Sequence, residues 1–324
     1  MMLHRRGLAA LLAAVAPLPA FAQGAAWPTR PVRIVVGFAA GGPTDVIARV
    51  LAQDLTNSLG QPVVVENRTG ANALVATEGV AREAPDGHTL LMSTLSHSVN
   101  AILLPNARYR PLQDFAPVSL VARLPLVAVT GASTPFRSLQ DVVEAARARP
   151  GEISYGSAGN GGSAHLAAAL LATLSETRMT HVPFRGNAPA LQEVMAGRVS
   201  FMFYPMIGIS DMIGRGQLRA LAVSTTEPHP DYPGVPTTAQ AGFPGFEEYT
   251  QGLGILAPAR TPAPVVETLN RAIRASLEKP ETAQRLAGLG AIVAPSTPEE
   301  FATFLEGDLD RWRRVIEAAR ITSE

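Results

Sequence analysis

The stretch Val32-Arg33-Ile34-Val35-Val36, followed by Gly37-Phe38-Ala39-Ala40-Gly41-Gly42-Pro43-Thr44-Asp45, decides the fold. Its first five residues are rich in β-branched side chains, which predicts a buried strand. Apolar residues then recur at helical spacing over 46–59, and Gly60 supplies a helix stop. A strand that passes through a glycine-rich turn into a helix is the first unit of an α/β fold.

The same alternation of strand and helix continues along the chain. An extended run over 118–130, interrupted at Pro125, is expected to cross between two lobes. A second βα series follows, with a second glycine-rich turn over 156–162. Residues 252–257 are expected to return as a strand beside 126–129.

We therefore expect an α/β protein with two lobes, each a mostly parallel sheet flanked by helices, joined by hinge strands. Lobe 1 is predicted to contain 23–123 and 258–324, and lobe 2 is predicted to contain 124–257.

Residues 1–22 have the pattern of a secretory signal peptide. Arg5 and Arg6 precede an apolar run, and Ala20-Phe21-Ala22 offers a small-x-small cleavage site. The apolar run is shorter than the roughly 20 residues that a membrane-spanning helix needs. Export to a bacterial periplasm is the expected localisation.

Composition excludes several kinds of chemistry. The chain has no cysteine, and 27 basic residues balance 27 acidic ones, so thiolate sites are excluded and nucleic acid is not an expected partner. Its single lysine, Lys279, lies far from either glycine-rich turn. The histidines show no metal-ligand spacing, and no cofactor or metal is expected. His88 follows a Pro-Asp-Gly turn and is expected to be solvated.

Both glycine-rich turns follow a predicted strand and precede a predicted helix. Ligands of open α/β sheets bind at this edge, where unpaired N–H groups and the helix dipole favour an anion. The turn over 38–45 and the turn over 156–163 would clamp a small anion if they face each other across a cleft. Each turn alone is equally well explained as a tight connection without a ligand.

An exported serine hydrolase is the main alternative. Gly156-Ser157-Ala158-Gly159 resembles a nucleophile elbow, but Tyr155 stands where the first glycine of Gly-x-Ser-x-Gly belongs. His165 is the candidate base, although no sequence rule brings it to Ser157. A non-enzymatic binding role is the preferred interpretation.

Several blocks in order along nearly the whole mature chain carry a resemblance to a known family. They are 27–36, 40–45, 65–71, 84–91, 155–161, 181–186 and 218–223. At these residues the chain resembles the tripartite tricarboxylate transporter substrate-binding proteins, the Bug or TctC-like family. The resemblance implies a type II periplasmic binding protein fold that closes on a small organic acid and delivers it to membrane permease subunits. A monomer is expected, and a sensor that docks to a signalling receptor stays open as an alternative.

The resemblance also implies a set of ligand-binding residues in both lobes. They are Phe38, Ala40, Gly41, Gly42, Thr44, Asp45, Ser93, Ser96 and His97 in lobe 1, and Ser157, Ala158, Gly159, His165, Phe184, Arg185 and Gly186 in lobe 2. Asp45 is expected to cap the helix or to contact the ligand. Tyr204 stands where the family usually carries an aspartate or another small polar residue, so we expect it to reshape the variable end of the cleft.

Overall fold

A six-stranded mixed sheet forms the first part of the fold. The computed structural model describes residues 27–184, 186–206, 208–246 and 250–322. The strands of this sheet are β1 (Val32–Val36), β2 (Val63–Asn67), β3 (Thr89–Ser93), β4 (Phe115–Leu124), β10 (Gln251–Pro258) and β11 (Ile292–Val293). Their order is β11-β4-β10-β3-β1-β2, with β1 parallel to β2 and β3. The chain thus returns to this sheet after building a second one.

Helices cover both faces of the six-stranded sheet. They are α1 (Pro43–Leu59), α2 (Leu74–Ala81), α3 (Ser96–Leu103), α8 (Ala263–Leu277), α9 (Pro280–Ala287) and α10 (Pro298–Ala318). One apolar core packs α1 and α8 on the sheet, and another packs α2 and the start of α10 on the opposite side. The β-branched strands predicted from the sequence lie at the centre of these cores.

Two smaller sheets, one of three strands and one of two, form the second part of the fold. Their strands are β5 (Leu126–Gly131), β6 (Ser154–Ser157), β7 (Thr180–Pro183), β8 (Met202–Pro205) and β9 (Leu218–Val223). The order β8-β5-β9 is antiparallel and β6-β7 is parallel. A bridge between Tyr155 and Phe201 joins the two parts. The flanking helices are α4 (Leu139–Ala148), α5 (Ser163–Leu174), α6 (Asn187–Met195) and α7 (Ser210–Gly214).

The predicted crossing at Pro125 is confirmed, because β4 and β5 belong to different sheets. The predicted pairing of the returning strand is wrong: β10 pairs with β3 and β4 instead of β5. A buried strand shows the same apolar pattern wherever it pairs, so the sequence did not determine its neighbour. The sheets are mixed and not mostly parallel as expected. β1 pairs in parallel with β2 and with β3, and β6 pairs in parallel with β7. The pairs β3–β10, β4–β10, β4–β11, β5–β8 and β5–β9 are antiparallel. The lobe boundaries at 123/124 and 257/258 stay predictions.

Two further expectations concern the chain ends and His88. The signal peptide predicted over 1–22 lies outside the described residues. His88 is buried rather than solvated, at 5% exposure, and its ring contacts that of Trp27 at a centroid distance of 5.6 Å. Within the described part of the chain, no helix combines the length and apolarity that a membrane span requires.

Candidate functional site

The first glycine-rich turn connects β1 to α1 through a defined set of backbone bonds. Gly41 has a φ of +79°, and Gly42 is the helix N-cap. The amide of Gly42 donates to the carbonyl of Ala39 at 3.4 Å, and the amide of Val46 donates to the carbonyl of Gly42 at 3.0 Å. The first amides of a helix lack intrahelical acceptors, so this turn presents N–H groups at the positive end of the helix dipole.

Asp45 braces this turn from within. Its buried carboxylate accepts hydrogen bonds from the Gly41 amide at 2.8 Å, from Asn67 Nδ2 at 2.8 Å, and from Arg49 at 2.9 and 3.0 Å. Burial alone would raise the pKa of Asp45, but the bonds from Arg49, Gly41 and Asn67 outweigh it and lower that pKa. The carboxylate is therefore ionised, charge-compensated and occupied by the protein.

The second turn repeats the geometry of the first. Gly161 has a φ of +72°, and Gly162 is the N-cap of α5. The Gly162 amide donates to the carbonyl of Gly159 at 3.4 Å, and the Leu166 amide donates to the carbonyl of Gly162 at 3.0 Å. The brace also recurs four residues on: the Gly161 amide donates to Nδ1 of His165 at 3.0 Å. Each sheet therefore presents the same strand–turn–helix motif.

The two braces differ in charge. His165 replaces a carboxylate with an imidazole, and burial, with the nearby His181, lowers the pKa of His165 to about 3. A neutral ring accepts the Gly161 amide without placing negative charge at the turn. The second turn is electrostatically the more favourable of the two for an anionic group, since the first carries an Asp45 that Arg49 must offset.

Contacts connect the two turns through the segment 70–73. A Cβ at Gly37 would lie 2.2 Å from the Cβ of Ala73, so the start of the first turn packs directly on this segment. A Cβ at Gly161 would lie 3.6 Å from Asn72 Nδ2 and 3.0 Å from Val99 Cγ1 of α3. The second turn thus lies against elements that flank the first.

The segment that joins the turns is held in an uncommon backbone conformation. Ala71, Asn72 and Ala73 have φ values of 45°, 52° and 69°. Asn72 Oδ1 accepts from Ser96 Oγ at 2.9 Å, and Asn100 Nδ2 donates to the carbonyl of Asn72 at 2.8 Å. Left-handed non-glycine residues persist where surrounding contacts over-determine them, and they cluster at functional sites.

The other predicted lobe 1 residues have protein partners. Ser93 Oγ donates to the carbonyl of Gly254 at 3.1 Å, and Ser96 Oγ is occupied by Asn72. His97 is 2% exposed, lies 2.9 Å from the carbonyl of Pro111 through Nε2 and packs between Tyr109 and Phe115. Thr44 differs, because its hydroxyl has no hydrogen-bond partner within the described ranges.

The predicted lobe 2 residues lie around the ends of β6, β7 and β8. The Phe184 amide donates to the carbonyl of Ser157 at 2.9 Å, and Gly186, with a φ of +145°, is the N-cap of α6. Arg185 lies outside the described residues. Tyr204 is 9% exposed in an apolar cluster, and its hydroxyl has no partner in the described part of the chain.

The Ser157–His165 pair of a hydrolase does not form. His165 Nδ1 is occupied by Gly161, whereas Ser157 Oγ lies 2.6 Å from Nε2 of another histidine, His181. Ser157 is fully buried, and no carboxylate of the described residues is hydrogen-bonded to His181. A serine nucleophile needs access to substrate and an oriented base, and Ser157 lacks access.

Sequence reasoning missed four polar side chains that position the turns. Asn67 and Arg49 hold Asp45, Asn72 connects lobe elements, and His181 contacts Ser157. Asn67 carried a usable signal, because it lies just beyond a run of three valines and ends β2, a parallel strand, at the edge where sites form. No group of three potential metal ligands occurs among the described residues.

Two lobes whose glycine-rich turns repeat one geometry are the arrangement of a periplasmic-binding-protein fold. Solved structures of this class superpose on the chain. Rpa4515 of R. palustris with adipate aligns with a TM-score of 0.86 at 33% identity, over 91% of this chain and 99% of that one. MatC of Rhodopseudomonas palustris with bound malate aligns with a TM-score of 0.83 at 34% identity, over 90% and 100% of the two chains.

The chain belongs to the tripartite tricarboxylate transporter family receptors, whose family model matches residues 47–321. Protein BugT of Bordetella pertussis is 36% identical over 292 residues, which cover 90% of this chain and 89% of BugT. The family assignment made from the sequence blocks is thereby confirmed. It is a family of periplasmic solute-binding proteins with a transport-associated function.

Proposed function

We propose that this protein captures a small carboxylate-bearing metabolite between its two lobes and delivers it to permease subunits of a tripartite tricarboxylate-type transporter. The observation that carries the proposal is the repetition of one anion-binding turn at the start of α1 and at the start of α5. Adipate and malate in two structural relatives support a carboxylate as the ligand class.

The ligand groups would come from main-chain amides more than from side chains. Asp45, Ser93, Ser96 and His97 are occupied by protein partners, so their contribution is to shape the walls. The amides in the first turns of α1 and α5 that have no intrahelical acceptor, with the hydroxyls of Thr44 and Tyr204, provide donors for a carboxylate and for the rest of the ligand.

The proposal also covers catalysis, cofactors, oligomeric state and export. The protein acts without catalysis and without a cofactor, as a monomer exported through the signal peptide at 1–22. Contacts from both lobes stabilise the closed form, and closure signals occupancy to the membrane subunits.

Thermal unfolding with adipate, malate and the uncharged diamide of adipate tests the proposal. A ligand at about 100 times its Kd stabilises the folded state by about 2.7 kcal/mol, which raises Tm by several degrees. We expect a carboxylate to raise Tm and the diamide to leave it unchanged. A library of organic acids that leaves Tm unchanged throughout would refute the carboxylate assignment. Small-angle scattering should show contraction with the stabilising acid.

A further inference from the structure

His181 belongs to a buried stack of rings behind the second turn. Its ring lies parallel to that of His165, with centroids 3.9 Å apart and planes 3° apart, and the ring of Tyr155 lies beside this pair, 5.1 Å from His181 and 6.2 Å from His165. His181 comes from β7, His165 from α5 and Tyr155 from β6. Three elements that meet at the turn thus contribute one ring each.

The stack connects to the turn at two glycines. Ser157 Oγ lies 2.6 Å from His181 Nε2, accepts the Gly159 amide at 3.1 Å and donates to the Gly159 carbonyl at 3.0 Å. His165 Nδ1 accepts the Gly161 amide. Gly159 and Gly161 both have positive φ values, 128° and 72°, so these bonds hold the peptides that give the turn its shape.

Hydrogen-bond accounting assigns the proton between His181 and Ser157. A serine hydroxyl has one proton and two lone pairs. With its proton on the Gly159 carbonyl and one lone pair facing the Gly159 amide, Ser157 Oγ has one lone pair left for His181. In this arrangement His181 Nε2 carries the hydrogen and donates it. Burial lowers the pKa of His181 to about 4, so at neutral pH the ring is uncharged and carries a single N–H.

We propose that His181 is a positioning residue of the ligand site: its Nε2–H donates to Ser157 Oγ, which holds the Gly159 peptide, while its ring supports His165 on Gly161. This proposal rests on the proposed function for the ligand and on the structure for the geometry. It also makes Ser157 a non-nucleophilic residue, because a histidine that donates to a serine cannot remove its proton.

Two substitutions of His181 separate the hydrogen bond from the stack. His181→Phe keeps a flat ring against His165 and loses the donor, whereas His181→Gln keeps a donor and loses the ring. His88→Phe is the matched control, because His88 is also a buried histidine and its Nδ1 lies 3.3 Å from Asp86 Oδ1, so its polar contact is to a residue outside both turns. Adipate and malate are the probes, and the one that wild type binds more tightly is used for every variant.

We expect His181→Phe to weaken probe binding about tenfold, because one positioning hydrogen bond is lost. His181→Gln should bind the probe more tightly than His181→Phe and less tightly than wild type. His88→Phe should bind the probe like wild type. Equal binding by His181→Phe and wild type would overturn the proposal. If His181→Phe does not fold, Ser157→Ala is measured in its place. This variant removes the same hydrogen bond from the other partner and should show the same loss of probe affinity.

Nuclear magnetic resonance tests the geometry without any ligand. Long-range ¹H–¹⁵N correlations at pH 7 should show a protonated Nε2 and an unprotonated Nδ1 for both His165 and His181. The Gly159 amide should shift in His181→Phe and in Ser157→Ala. An unprotonated Nε2 in His181 would overturn the proposal, even if the chain binds adipate. Absence of probe binding with the expected tautomers would refute the carboxylate function and leave the positioning geometry intact.

Discussion

The Oδ2 atom of Asp45 accepts the amide hydrogen of Gly41 at 2.8 Å, and this bond closes the first turn. Asp45 also receives Arg49 and Asn67, so a negative residue beside the proposed anion site is already neutralised by the protein. The relationship explains why an aspartate and a carboxylate ligand are compatible in one turn. We therefore propose that Asp45 braces the turn.

Asp45→Ala should weaken carboxylate binding and lower the free energy of unfolding by about 1–3 kcal/mol, because Gly41, Asn67 and Arg49 lose their common acceptor. Asp114→Ala is the matched control. Asp114 accepts from the Arg110 amide at 2.8 Å and from its guanidinium at 2.7 Å, and neither bond involves a residue of the two turns. Denaturant unfolding and calorimetric titration with adipate and malate measure the two effects. Equal affinities in the two variants would contradict the bracing role.

Stability should fall as the pH drops from 7 to 5, because of buried histidines. Burial lowers the pKa of His97 to about 4 and, with His181, that of His165 to about 3. At these histidines the unfolded chain binds protons below about pH 6.5 and the folded chain does not. The free energy of unfolding therefore decreases as the pH falls through this window. Each such histidine contributes a loss of roughly 2 kcal/mol between pH 7 and pH 5. Denaturant unfolding of wild type and His97→Gln at both pH values checks this. The pH slope should be smaller in His97→Gln, and an unchanged slope would refute the assignment.

His165→Asp and His165→Asn form a matched pair that differs only in charge. Both offer an oxygen acceptor to the Gly161 amide, but the aspartate adds a negative charge with Ala169, not an arginine, four residues later. Repulsion of a carboxylate about 6 Å away costs about 3 kcal/mol at an effective dielectric of about 20. We expect His165→Asp to bind malate or adipate at least tenfold more weakly than His165→Asn. Calorimetry at pH 7 measures this difference, and equal affinities would show that the brace charge does not reach the ligand.

The sequence predicted most of the elements because their signals are local. The run of β-branched residues at Val32–Val36 has the predicted bounds. The capping box of α4 is also local, because Ser138 and Asp141, three residues apart, form it. The helix α3 was missed, since Ser96–Leu103 has only 8 residues and begins shortly after β3 ends at Ser93. The pairing of β10 was also missed, because it depends on tertiary contacts that an apolar run does not specify.

In the candidate site, too, the local features were predicted and the tertiary contacts were not. Glycine-rich turns at strand ends were found because glycine, hydroxyl residues and a following helix form a local pattern. The brace at Asp45 was half predicted, as a cap, but its partners Asn67 and Arg49 were not found. The pairing of His181 with Ser157 joins residues 24 apart in sequence on neighbouring strands. Only the β6–β7 register brings them together, so their contact could not be read from spacing.

Gly37→Ala should destabilise the protein and disturb the site. The added Cβ would lie 2.2 Å from Ala73 Cβ and 2.7 Å from Ala73 Cα, which the left-handed segment cannot relieve without moving Asn72. Overpacking of this kind costs about 1–3 kcal/mol. Gly307→Ala, within α10 and with nothing within 4 Å of the new Cβ, should instead stabilise by about 0.5–1 kcal/mol. Tm values of the two variants should move in opposite directions, and a wild-type Tm for Gly37→Ala would contradict this packing.

Tyr204 should control which ligand binds without contributing a hydrogen bond to folding. Its hydroxyl has no partner within the described ranges, whereas the buried Tyr232 hydroxyl lies 3.2 Å from both the Met206 carbonyl and Ser210 Oγ. Tyr232→Phe should therefore lower the free energy of unfolding by about 1 kcal/mol and keep the ligand preference.

Tyr204→Phe should leave stability unchanged and alter the ranking of organic acids in a thermal-shift screen. Tyr204→Asp should alter that ranking further, because a carboxylate at this wall repels a second acidic group and favours a ligand with a cationic or hydroxyl tail. The same ranking in wild type, Tyr204→Phe and Tyr204→Asp would remove Tyr204 from the specificity role.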